Sequence, residues 1–194
     1  MANIDAVFGL RPAKMLGAAY NTSGFSTYKM ATGEGNNIFT GSLVVLQANG
    51  MITIATDNTS ANILGVCGGF YYDNAQGEPT FGPYWPASTE TYNETDVQVK
   101  VYDDPNTLFE IQSVAGTTGQ AVIGANANTS GNANGSTTSG LSSCYIDAPN
   151  AAATAEQLRI VDVTADVDNN DLSSNNVNLV VRINESAYTT LTGT

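Results

Sequence analysis

The feature that most constrains the fold is the arrangement of apolar residues in short runs separated by turn-forming residues. The clearest case is Leu43–Leu46 and Met51–Ala55, with Asn49-Gly50 between them. Asn-Gly between two apolar runs is a strong β-hairpin pattern, because both central residues of the tight turn need positive φ. No run approaches the roughly 20 apolar residues that a transmembrane helix needs. The pattern predicts a chain of short strands and turns.

Similar patterns recur along the chain. Residues 97–102 alternate valine with other residues, the two-residue period of a half-buried strand. The further predicted strands are 63–72, 108–112, 158–163 and 177–183. The segments between them are predicted to be an aromatic-containing loop over 73–95, a long loop over 115–143 with one short strand around Val122-Ile123, and a short helix over 151–157.

Composition agrees with this assignment. Charged residues make up only 12% of the 194 residues, about half the usual share. Asn, Thr, Ser and 19 Gly take their place, which favours turns between strands. The sequence therefore predicts an all-β fold, an antiparallel β-sandwich or barrel-like domain over residues 21–194. Residues 1–20 are predicted to form an extended N-terminal arm, and the loops to be long and rich in Gly, Asn, Ser and Thr.

The N-terminal segment carries the first candidate contact residues, Phe8, Leu10, Arg11 and Pro12. Pro12 restricts Arg11 to extended conformations, so the segment reads as an extended strand with apolar side chains. Two alternatives stay open at this point. The segment is either an arm that buries these side chains on a partner, or an ordinary first strand of its own domain. In the first case, deletion of residues 1–12 is expected to leave a folded domain that no longer binds its partner.

The charge balance excludes several classes of function. The chain has no histidine, and its six Lys and Arg against 18 Asp and Glu give a net charge of −12. Imidazole-based catalysis and histidine zinc sites are therefore excluded. Six scattered cations cannot form the basic patch that nucleic acids require, and an anionic membrane would repel the chain. We expect neither a nucleic-acid nor a membrane partner. The first five residues lack a signal-peptide pattern, so we expect production in a cytoplasm.

Three other features of the sequence bear on catalysis, metal binding or thiol chemistry. Glu90 and Glu94, near Tyr92, could form the carboxylate pair of a glycosidase, although such aromatic clusters are more often core or interface. Residues 166–170 match part of a calcium loop but lack its glycine, which favours an Asx-rich turn. Cys67 and Cys144 are predicted to be small, buried and reduced. No catalytic, cofactor-binding or metal-binding residue is assigned, and no cofactor is expected.

Several segments, read together, point to a family. Residues 1–6 with 8–12 resemble the opening of a family of tailed-bacteriophage structural proteins. The segments that continue the likeness, in the family's order, are 84–86, 101–106, 109–112, 158–161 and 179–184. Members of this family are capsid decoration (cement) proteins, which bind outside the major capsid shell. The resemblance implies a non-enzymatic virion protein that stabilises the mature head.

The resemblance also implies the partners and the place. The major capsid protein is the expected partner, and the capsid exterior the expected location, after assembly in the cytoplasm of a bacterial host. Self-association is expected too, as a homotrimer first and a dimer second. Tyr84 and Trp85 join the candidate interface residues, since aromatic side chains dominate interface energetics. The alternative is a head-fibre or host-adhesion module that binds carbohydrate on Tyr84, Trp85 and Tyr92.

Overall fold

The computed structural model describes residues 3–17, 24–58, 62–87, 96–115, 119–147 and 156–189. Their regular structure is β-strand apart from short 3-10 turns such as Gly119–Val122, so the all-β prediction is confirmed. The strands are, in chain order, β1 (Arg11–Met15), β2 (Ser26–Lys29), β3 (Ile38–Phe39), β4 (Leu43–Leu46), β5 (Ile52–Ile54), β6 (Ile63–Asp73), β7 (Pro79–Gly82), β8 (Tyr84–Trp85), β9 (Gln98–Tyr102), β10 (Thr107–Ser113), β11 (Asn126–Ala127), β12 (Thr129–Ser130), β13 (Tyr145–Ile146), β14 (Leu158–Val163) and β15 (Val177–Ile183). Within the described ranges, no helix has the length and apolar character needed to cross a bilayer.

One sheet curls into a nearly closed barrel. Its strand order is β2-β9-β6-β4-β5, and β7 pairs with the far end of the long strand β6. Met30, just after β2, forms a bridge with Ile52 in β5, and the Ala31 N–H donates to the Ile52 carbonyl at 2.9 Å. These contacts join the two edge strands. The side chains that form the barrel core are Met30, Ile38, Val44, Ile52, Leu64, Cys67, Phe70, Trp85, Val97, Val99 and Val101.

A second sheet covers one side of the barrel. Its order is β11-β14-β15-β10-β13-β12, and β1 pairs with β10 on the edge that β13 also uses. Its inner face buries Phe109, Ile160, Leu179 and other apolar side chains against barrel residues such as Val66. The molecule thus has two apolar cores, one inside the barrel and one between the barrel and the second sheet.

Strands β4 and β6 belong to both cores. Leu43 lies in the core between the sheets, and its neighbour Val44 lies inside the barrel. Val66 and Cys67 in β6 divide in the same way. Because a strand buried on both faces has no polar side, its sequence reads as a continuous apolar run. This explains the uninterrupted Leu43–Leu46 segment.

The predicted hairpin at Asn49-Gly50 is present, with a different turn. Among its loop residues only Gly50 has positive φ, at +76°. The Gly50 N–H donates to the Gln47 carbonyl, and the Gln47 N–H donates to the Met51 carbonyl. This is a type I turn followed by a glycine bulge, so the expectation of positive φ at both central residues was wrong. The strands predicted at 158–163 and 177–183 are present as β14 and β15, with the same bounds.

Three local predictions need correction. The segment 73–95 is not a simple loop, since it holds β7 and β8; Pro79 is compatible with β7 because it stands at the strand's first residue. Val122 lies in a 3-10 turn and not in a strand. Of the helix predicted over 151–157, residues 151–155 lie outside the described residues, and Glu156 and Gln157 are not helical.

The described part of the N-terminal segment lies along the domain. Strand β1 pairs antiparallel with β10, and Leu10 is 2% exposed within the core between the sheets. Asn3 donates from its side chain to the Asp171 and Asn175 carbonyls at 3.0 and 2.8 Å. Of the two alternatives that the sequence left open, residues 3–17 follow the second, a first strand packed on its own domain.

Candidate docking site

An apolar pocket of about 160 Å³ opens beside the N-terminal segment. Its lining combines four of the sequence-predicted contact residues with residues from distant parts of the chain. The lining residues are Phe8, Leu10, Arg11, Pro12, Thr40, Cys67, Gly68, Tyr102 and Leu141. Among them, Leu141 is 46% exposed, so the rim of the pocket carries exposed apolar surface. We call this feature the docking pocket.

Two glycines let the N-terminal segment approach closely enough to form this pocket. Gly9 has a φ of +73°, and a Cβ at this position would lie 2.8 Å from the Ser142 Cβ. Gly41 has a φ of +94° and also lies against residue 10, whose N–H donates to the Gly41 carbonyl at 2.9 Å. The backbone at residues 9 and 10 therefore lies directly against the loops that carry Gly41 and Ser142. On either side of Gly9, Leu10 is buried and Phe8 remains half-buried at the pocket.

Arg11 is held by contacts within its own chain. Its guanidinium carbon lies 4.2 Å from the centroid of the Phe8 ring, and its Nη2 lies 2.7 Å from the Glu110 Oε2. The Arg11 side chain is exposed, so this ion pair is worth at most about 1 kcal/mol. Arg11 therefore orders Phe8 at the rim, and its charge is already balanced by Glu110.

Strand β8, which carries Tyr84 and Trp85, lies near the pocket on another side. Thr40, a lining residue, donates its N–H to the Pro83 carbonyl at 3.0 Å, which places β8 next to the pocket. Tyr84 stacks on Phe39, with ring centroids 5.5 Å apart, and stays half-buried. Trp85 points into the barrel and is 0% exposed.

Burial corrects two of the six predicted contacts. Leu10 and Trp85 are core residues of their own chain, so neither side chain is available to a partner. Leu10 packs into the core between the two sheets, and Trp85 packs into the core of the barrel. Phe8, Arg11, Pro12 and Tyr84 remain at the surface or half-buried.

The candidate glycosidase carboxylates and the calcium-loop-like segment are next. Glu90, Tyr92 and Glu94 lie outside the described residues. The Asp166 Oδ1 accepts the Asp168 N–H at 3.1 Å, which is an Asx turn. Within the part of the chain that the structure describes, no group of three or more Cys, Asp or Glu side chains is placed to hold a metal ion.

The two cysteines are free thiols buried in different cores, which confirms that they are small buried residues. Burial raises the pKa of the Cys67 thiol to about 12 and that of Cys144 further. A thiol with a raised pKa holds little thiolate at neutral pH and is a poor nucleophile. Cys67 therefore acts as a small apolar residue of the barrel core, at the point where β6 borders the docking pocket.

Leu141 is the most exposed of the pocket residues that sequence reasoning missed. It is a single large apolar side chain in a polar loop, and that isolation is the one signal that could have indicated it. Its position depends on a bridge between Thr40 and Leu141, which are distant in sequence.

Comparison of the chain with protein-family models, curated proteins and solved structures finds no match.

Proposed function

We propose that this protein is a non-enzymatic virion structural protein, which binds the outside of a major capsid protein lattice and stabilises the mature phage head. The observation that carries the proposal is the docking pocket beside β1, a concave apolar surface lined by Phe8, Pro12 and Leu141. The family resemblance described above supports the same function. No catalytic step is needed for it.

The proposed mechanism is mass action. Many copies bind the mature lattice and not its precursor, and each bound copy stabilises the state that it binds. An apolar side chain of the shell protein would enter the docking pocket. Strand β1 offers a second contact, because within the described residues it pairs on one side only, with β10. A strand of the partner could add to that edge.

The net charge of −12 fits the same role. Net charge keeps a protein soluble at the high concentrations that precede assembly. It also favours a partner surface with basic character.

We propose a homotrimer as the assembled form, with a dimer second, because closed symmetric oligomers suit symmetric lattice positions. Light scattering on the purified protein tests this part separately.

The first experiment is the copy number of this chain per major capsid protein in purified virions, measured by quantitative mass spectrometry. A fixed ratio near the number of lattice positions would support a cement protein. A handful of copies per particle would contradict it and indicate a vertex, tail or fibre protein. Absence from virions would overturn the structural assignment.

The second experiment tests the docking pocket. Phe8→Ser and Leu141→Ser remove apolar rim surface, whereas Val167→Ser makes a matched change at another exposed apolar residue. We expect binding to mature heads to fall about tenfold or more for the pocket variants and to stay unchanged for the control. Thermal melts establish that each variant is folded. Undiminished binding by both pocket variants would refute this use of the pocket.

Deletion of residues 1–12 is no longer a clean test of binding. It would remove Leu10 from the core between the sheets, and with Arg11 and Pro12 it would remove two of the residue pairs between β1 and β10. We therefore expect the deletion to destabilise the domain as well as to weaken binding.

The carbohydrate-binding alternative loses its main stacking residue, since Trp85 lies inside the barrel.

A further inference from the structure

A second surface, on the outside of the barrel, is built around Lys100. The Lys100 Nζ lies 4.4 Å from the centroid of the Phe25 ring and 4.5 Å from that of Phe81. Four strands bring these groups together, because β9 pairs with β2 and β6, and β6 pairs with β7. Tyr71, opposite Phe81 in the register, extends the aromatic surface.

Gly69 is what allows the Phe81 ring to reach Lys100. Gly69 stands opposite Lys100 in the register of β6 and β9. A Cβ at Gly69 would lie 3.0 Å from the Phe81 Cζ, closer than an ordinary carbon–carbon contact. Its φ of +142° also marks the bulge in β6. The Phe81 ring therefore lies over backbone that has no side chain, which a glycine at position 69 provides.

The aromatic surface is exposed and small. Phe25 is 46% exposed, Tyr71 44% and Phe81 57%, which amounts to about 300 Å² of aromatic side chain. A stable protein–protein interface needs about 800 Å² from each partner. The concavity at this surface measures about 290 Å³ and is lined by Thr27, Tyr71, Phe81, Gln98 and Lys100. Its size suits a small ligand or a single sugar residue better than a protein partner.

The charge at the centre selects the ligand. In the described residues, Arg11, Lys14 and Lys29 form ion pairs with carboxylates, whereas Lys100 forms none. An ammonium held between two aromatic rings keeps its capacity to donate to an anion. Although the chain has a net charge of −12, the Lys100 ammonium makes this surface locally attractive to an acidic group.

We propose that this surface binds an acidic sugar, a pyranose that carries a carboxylate. The apolar C–H face of the sugar ring packs on the Phe81 and Tyr71 side chains, and the carboxylate accepts from the Lys100 ammonium. Thr27 and Gln98, both exposed, offer a hydroxyl and an amide to the sugar hydroxyls. The Phe25 ring packs edge-on against Tyr102 at 6.3 Å, so Tyr102 separates this surface from the docking pocket. The sugar site does not depend on the proposed capsid function.

The test uses two sugars that differ only in the acid, galacturonic acid and galactose. We expect the wild-type protein to bind galacturonate with a Kd on the order of 1 mM, by chemical-shift titration, with shifts around Gln98 and Lys100. Galactose is expected to bind about fivefold more weakly. No saturable shift with galacturonate up to about 50 mM would overturn the proposal.

Variants separate charge from stacking. Lys100→Met removes the ammonium and is expected to abolish the preference for galacturonate over galactose. Lys14→Met makes the same change of charge on β1, in the other sheet, and is expected to keep that preference. Phe81→Ala is expected to weaken binding of both sugars. A preference that survives Lys100→Met would refute the proposed contact.

A peptide probe tests the other class of occupant. If acetyl-Glu-Glu-amide shifts the same resonances as tightly as galacturonate while galactose shows no binding, the surface is an acidic-peptide site and the sugar assignment is wrong. Weaker peptide binding than galacturonate binding supports the sugar assignment. Thermal melts of each variant check that the fold is kept.

Discussion

At the scale of single residues, Asn132 connects the long polar loop to the barrel wall. Its side chain is 1% exposed. Its Nδ2 donates to the Leu43 and Ala55 carbonyls at 2.9 Å each, and its Oδ1 accepts the Leu43 N–H at 2.7 Å. The same residue's backbone accepts from Ser42 Oγ and donates to Asp57. One amide side chain thus satisfies three buried backbone groups.

Replacement of this residue is expected to be costly. Asn132→Leu keeps the volume but removes this partner from the Leu43 N–H and the Ala55 carbonyl, while the Leu43 carbonyl keeps the Ala55 N–H; each buried group that loses its partner costs about 1–3 kcal/mol. We expect a loss of about 3 kcal/mol or more in the free energy of unfolding, measured by urea titration. Asn175→Leu, at an exposed position, is the matched control and should change stability little. Equal stability of both variants would contradict the role given to Asn132.

The sequence could not indicate Asn132 beforehand. It stands in a loop with several other asparagines, and nothing local distinguishes it from them. Its partners at Leu43 and Ala55 are far away in the chain, so only the folded arrangement selects it. Phe8 and Pro12 were easier to find, because their local sequence already combined an extended backbone with apolar side chains.

At the scale of elements, strong local patterns were reliable and weak ones were not. Strands β14 and β15 are predicted from continuous or alternating apolar residues, and both are present. Strands β7 and β8 escaped prediction because they are short and lie among prolines and glycines. They exist because β6 and β3 offer unpaired backbone to them. Such pairing is a tertiary effect that no local pattern carries.

The hairpin between β4 and β5 gives an element-scale prediction. Gly50→Ala places an L-residue at a φ of +76° with no atom within 4 Å of its Cβ, so the cost is conformational alone. We expect a loss of about 1 kcal/mol in the free energy of unfolding. Gly35→Ala serves as the control, since Gly35 also has open space but no positive φ in the left-handed range. Urea titration of both variants measures the difference, and a Gly50→Ala protein as stable as the wild type would contradict the turn geometry.

At the scale of the whole molecule, the sequence predicted a sandwich or barrel-like domain, and the structure combines a barrel with a covering sheet. The closure itself was beyond local reasoning. It rests on the pairing of Met30 with Ile52 and on β6 reaching both β9 and β4. The docking pocket is equally non-local, since Leu141 meets Phe8 only after the loops have packed.

Charge gives a prediction at this scale. The three ion pairs among the described residues join exposed cations to carboxylates that are exposed or, for Glu110, half-buried, and they contribute little. A net charge of −12, by contrast, repels itself in the compact state. Raising NaCl from about 10 to about 150 mM shortens the screening length from about 30 to about 8 Å. We expect Tm to rise by about 2 °C or more in calorimetry. KCl should give the same rise, which separates screening from sodium binding, and a fall in Tm would show that attractive pairs outweigh the repulsion.

The wall that β4 and β6 share between the two cores has a consequence for how such a chain can evolve. A substitution at Val44 or Leu64 alters the barrel interior, and one at the adjacent Leu43 or Ile63 alters the core beneath the covering sheet. A polar residue at any of these four positions would be buried in an apolar core, which is unfavourable. Sequence drift should therefore be slowest in this wall and fastest in the polar loops. A lineage could remodel its outer surfaces extensively while those few positions kept the ancestral fold.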